Sequence, residues 1–93
     1  MRVVYTDEAL HDLDDILRYI AANFPAAYQP FELRLRAVER RIGQLPQGAR
    51  WVAGRPGVRV VPLIRYPYKI FYRVTSEAVE ILHIHPTARR DPY

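Results

Sequence analysis

The sequence predicts an α+β fold with the element order β-α-α-β-β-β, a helix hairpin packed on one face of an antiparallel sheet. Three observations carry this. Apolar residues recur at helical spacing in two successive stretches between residues 7 and 45. A segment rich in proline and glycine, 46–57, then breaks the pattern. Beyond it the apolar period drops to two through residue 85.

The elements follow in order. Residues 2–5 (RVVY) are β-branched and aromatic, as a short strand requires. Thr6 is placed to cap a helix, with Asp7 and Glu8 in the first turn where the helix dipole favours anions. Leu10, Leu13, Ile16, Leu17, Ile20 and Phe24 then trace one apolar face of a helix over about 7–22. His11, Asp12, Asp14, Asp15 and Arg18 fall on its polar side and are expected in solvent. Asn23 and Pro25 end it. Tyr28, Phe31, Leu35, Val38, Ile42 and Leu45 form a second seam. Pro30 demands either a first turn or a kink at that point. Residues 46–57 read as a loop carrying Trp51 and Arg55. Strands are expected at 58–65, 68–74 and 79–85, with Pro62 marking an edge or a bulge. Tyr68, Ile70, Tyr72 and Val74 share one face; Lys69, Phe71 and Arg73 share the other.

At 93 residues the chain is expected to form one domain spanning 1–93. With no cysteine, disulfide scaffolds, thiolate metal sites and cysteine nucleophiles are excluded. No apolar run is long enough to span a membrane and the first residues do not resemble a signal peptide, so the cytoplasm is the expected compartment. The net charge of +4 is unevenly spread: residues 1–33 carry −4, residues 34–73 carry +9 and residues 74–93 carry −1. Such a basic block suits a polyanion or an acidic protein. Thirteen of the fourteen basic residues are arginine, which contacts phosphate and carboxylate groups through two nitrogens at once.

Phosphate loops, serine-hydrolase elbows and zinc-protease helices are missing from the sequence. The sheet face away from the helices is expected to present Arg59, Lys69, Phe71 and Arg73, a mixture able to hold phosphates and stack a base. His83 and His85 are two apart on one strand and point the same way. A metal would need a third ligand, and His11 lies away from them, so neither metal nor cofactor is expected. His85, Arg89, Arg90 and Tyr93 together make a minimal set for metal-free RNA cleavage: a base, phosphate-holding cations and an acid. Residues 86–93 (PTARRDPY) have little to bury, and Arg89 and Arg90 are expected to contact a target.

The segments RYPYKIFYRV (65–74), VEILHIH (79–85) and TARRDP (87–92) resemble the RelE/ParE superfamily of bacterial toxins, as do YTDEALHDLDDILRYI (5–20) and the arginine-rich second helix ending in Leu45-Pro46. The resemblance covers nearly the whole chain. It implies the toxin of a type II toxin-antitoxin module, neutralised by a cognate antitoxin in a hetero-oligomer. The single lysine, the short tail and the TARRDP ending look more like ParE, which implies inhibition of DNA gyrase with no catalytic residues. The target contacts would then be Arg59, Lys69, Arg73, Arg89 and Arg90. The RelE-like alternative implies messenger RNA cleavage on the ribosome, with His85, Arg89, Arg90 and Tyr93 as catalytic residues. An acidic, amphipathic antitoxin segment is expected to lie along the hairpin and add a strand to a sheet edge.

Overall fold

A computed structural model describes residues 1–92 of the chain. Strand β1 (Arg2–Tyr5) leads through Thr6 into helix α1 (Asp7–Asn23). The Thr6 hydroxyl accepts the Ala9 N–H and itself donates to the Ile81 carbonyl, so one side chain caps the helix and ties it to the sheet. A single tight turn, Pro25–Ala27, reverses the chain into α2 (Tyr28–Gln44). That start puts Pro30 inside the first turn, where its missing N–H leaves no bond unmade. A Cβ at Gly43 would lie 2.8 Å from the Met1 carbonyl oxygen, so glycine is what lets α2 approach the start of the chain.

The remaining elements are β2 (Arg50–Trp51), β3 (Val58–Pro62), β4 (Tyr68–Val74) and β5 (Ala78–Pro86). The sheet runs β1-β5-β4-β3-β2. The expected order holds with one addition, since Arg50–Trp51 forms a two-residue strand inside the segment read as loop. The sheet is mixed rather than wholly antiparallel, because β1 pairs with β5 in parallel. Parity accounts for this. Each hairpin reverses the chain, and the additional strand supplies one reversal more. Pro62 sits at the end of β3 opposite Lys69, beyond the reach of β2, so its missing donor breaks no bond to that strand.

The hairpin covers one face. Ile16, Ile20, Phe31, Leu35, Val38, Ile42, Ile70, Tyr72, Ile81 and Ile84 are buried there, with Leu13, Leu17 and Val74 packed against them. Leu10, Phe24 and Leu45 are exceptions to the expected seams: each is exposed, and Ala9 occupies the buried position beside Leu10. A smaller cluster of Val52, Val58, Val60 and Phe71 fills the opposite face, with Leu82 against it. A bulge creates the place for Leu82. Phe71 faces His83 and Tyr72 faces Ile81, so Leu82 is the extra residue. Ile81 and Ile84 therefore both reach the hairpin core although they are three positions apart. No helix among the described residues is long and apolar enough to cross a membrane.

Candidate functional site

Strand β1 ends at Tyr5 opposite Ile81, and the upper half of β5 has no strand beside it on that edge. Helix α1 covers the edge instead. Asp12 Oδ2 accepts the Ile84 N–H at 3.1 Å, replacing the strand that has run out. The same oxygen lies 3.3 Å from His83 Nδ1 and 3.5 Å from His85 Nε2. Asp12, expected in solvent, is thus half-buried and holds the helix to the strand. Asp14 and Asp15 do lie on an exposed surface, paired with Arg18 and His11.

The two histidines do point the same way, with ring centroids 5.0 Å apart. They differ in exposure. His83 lies at the surface end of the pair, whereas the His85 side chain is only 6% exposed and packs edge-on to Phe71. His85 is therefore a buried group rather than one at the sheet rim. Burial pushes its imidazole below the ordinary value; Asp12 opposes this, while Arg89, His83 and Lys69 add to it.

The cations on the sheet separate. Arg59 faces the same side as Tyr72, opposite to the face expected for it. Its guanidinium donates to the Gln47 and Ala49 carbonyls and stacks 3.6 Å over Trp51, fastening the connection after α2 to β3. Phe71 is wholly buried and offers no ring to a base. Lys69 does face the side away from the hairpin, but its ammonium is held by Asp91 Oδ1 at 2.5 Å and the Arg89 carbonyl at 3.0 Å. Arg73 pairs with Glu80 at 2.7 Å and is half exposed.

Those bonds order the tail. Thr87 N–H donates to the Pro67 carbonyl, and Arg89 N–H closes a turn onto Pro86. Arg89 and Arg90 are exposed on this anchored segment, while Tyr93 lies outside the described residues. Arg89 borders two hollows. One is an apolar groove between α1 and the tail, lined by Ile16, Tyr19, Tyr68, Ile84 and Pro86. The other is a shallow pocket over Asp12, His83 and His85. The structure thus brings Lys69, Arg89 and the histidine pair together around the end of β5, and leaves Arg59 and Arg73 apart from them. Asp12 is the member that sequence reasoning missed.

Among curated proteins, none matches this chain significantly. Solved structures similar to it include the following two. A protein described as the chromosomal ParDE toxin-antitoxin system from P. aeruginosa is 27% identical, with a TM-score of 0.78 over 92% of this chain and 95% of that one. The isolated E. coli RelE toxin is 17% identical, with a TM-score of 0.60 over 98% of this chain and 87% of that one, which shows a shared fold. The family described as ParE toxin of type II toxin-antitoxin system, parDE, matches residues 3–91. With two helices on a five-stranded mixed sheet and a family match across almost its whole length, the chain belongs to the ParE toxin family.

Proposed function

We propose that this chain arrests growth by inhibiting DNA gyrase and is neutralised by a cognate antitoxin, with Arg89 and Arg90 as the principal target contacts and Arg73 at the periphery. The family match over residues 3–91 carries the reading. The side chains support it in two ways. His85, the base that RNA cleavage would need, is buried behind Phe71 and Asp12, whereas Arg89 and Arg90 are exposed on an ordered segment suited to carboxylate or phosphate contacts. The hairpin also exposes Leu10, Tyr19, Phe24 and Leu33, apolar surface that an amphipathic antitoxin segment can cover. Lys69 and Arg59 serve in this reading as internal ties that shape the target-binding surface.

Inducible expression followed by two assays on purified components tests the proposal. Growth arrest, stabilised gyrase–DNA cleavage complexes and intact messenger RNA support it. Messenger RNA cut within codons on ribosomes overturns it in favour of the RelE-like reading, and absence of arrest overturns both. Arg89→Ala combined with Arg90→Ala is expected to abolish arrest while the melting temperature and antitoxin binding stay near the parent's. Full toxicity in that double variant removes the tail from the target surface.

A further inference from the structure

Asp12, His83 and His85 are grouped in a way that hydrogen bonding explains poorly. Separations of 3.3 and 3.5 Å are long for N–H···O bonds, which centre near 2.9–3.0 Å. One carboxylate oxygen is also asked to serve three nitrogens, the Ile84 amide included. The three potential ligand atoms lie within 4.8 Å of one another. The carboxylate oxygen lies 3.3 and 3.5 Å from the two nitrogens, and a metal at roughly 2.0–2.1 Å from both atoms of either pair would subtend an angle of about 105–120°, around the tetrahedral value.

We propose that Asp12 Oδ2, His83 Nδ1 and His85 Nε2 form a binding site for a borderline divalent metal ion, Zn2+ foremost, that clamps α1 to β5. Two imidazoles and a carboxylate favour zinc over magnesium or calcium, which take oxygen ligands. One support of such a site is already present. The Ile84 N–H orients the Asp12 carboxylate, as hydrogen-bonded ligands in metal sites usually are. Ligation through Nε2 would leave the His85 proton on Nδ1, which is buried and has no hydrogen-bond partner among the described residues. The protein supplies three ligands. The fourth position faces the shallow pocket bordered by Asp7, Glu8, His11, Arg89 and Pro92, where water or a small anion drawn by Arg89 completes the shell.

The test uses tag-free protein stripped with chelator, titrated with Zn2+ against a chromophoric chelator and, separately, melted with and without the metal. One equivalent of Zn2+ should bind and raise the melting temperature, and Co2+ in its place should give the visible absorption of a tetrahedral centre. Asp12→Asn keeps an acceptor for Ile84, and His83→Gln keeps a polar side chain at the surface end of the pair. Each should weaken Zn2+ binding by about tenfold or more, while still melting cooperatively. His11→Gln, on the pocket rim, should leave affinity unchanged. Failure to saturate at one equivalent overturns the proposal, as does equal affinity in His83→Gln or an equal loss in His11→Gln.

Discussion

On the hairpin side of the sheet, Phe31, Leu35, Ile42, Ile70 and Tyr72 interlock, and two tyrosine hydroxyls are hydrogen-bonded among the elements there. Tyr5 donates to Glu39 on α2, and Tyr72 donates to the Pro46 carbonyl at 2.8 Å. On the other side four buried apolar residues are ringed by Lys69–Asp91, Arg73–Glu80 and the Asp12–histidine group. The first face stabilises by burial. The second adds little apolar area but determines where the tail, the loop after β2 and the start of α1 are held. The contrast shows one small sheet dividing its tasks, with the fold on one side and the presentation of charged groups on the other.

Truncation at the hairpin core is the strongest way to expose that contrast. Phe31 is wholly buried and meets Tyr66 and Tyr68 edge-on, with centroids 5.5 and 5.7 Å away. Phe31→Ala should cost about 3–5 kcal/mol in urea denaturation, much of the stability of a domain this small. A loss under about 1 kcal/mol would show that the hairpin side is not the principal core.

Titration separates the faces in opposite directions. Burial first, then the bond to Glu39 and its charge, pushes the Tyr5 phenol far above its ordinary 10.0, with Arg36 opposing; burial also raises Tyr72 and Tyr68. The folded state keeps protons that the unfolded chain releases, so stability present below pH 10 falls as the pH rises above it. His85 does the reverse. The unfolded chain takes up a proton near pH 6.5 that the buried ring refuses, so stability is full above that value and falls as the pH drops below it. Melting temperatures of chelator-treated protein across the pH range should show both slopes. Tyr5→Phe should flatten the alkaline one and His85→Gln the acid one; an unchanged acid slope would assign it to other groups.

The smallest effect is expected at Arg73. Its bond to Glu80 is short, but the arginine is half exposed, so solvent weakens the pair. A double-mutant cycle with Arg73→Ala and Glu80→Ala should give a coupling of about 0–1 kcal/mol. A larger value would make this rim pair part of what stabilises the second face.

The hairpin side was largely legible in the sequence. Both helical seams, the bounds of the 68–74 strand and the pairing of Ile70 with Tyr72 on one face follow from spacing alone. The other side was not, for identifiable reasons. Arg59 and Lys69 were assigned to a common face, yet the alternation within one strand does not fix its register against the next across a five-residue turn. The Arg50–Trp51 strand is too short to show a period. Asp12 looked solvated because a helical wheel divides a helix into core and water. It has no category for a side chain that reaches over a sheet edge where the adjacent strand has ended.

The grip of Lys69 on Asp91 and on the Arg89 carbonyl has an entropic consequence. A free arginine tail would give up about 1–2 kcal/mol of backbone freedom per residue when it settled on a partner. In this chain much of that freedom is lost when the domain folds, so the binding proposed for Arg89 and Arg90 would carry a smaller ordering cost and a narrower choice of geometry. The one lysine in the chain thus acts at a distance from any partner, by keeping two guanidinium groups poised on a backbone that no longer has to search.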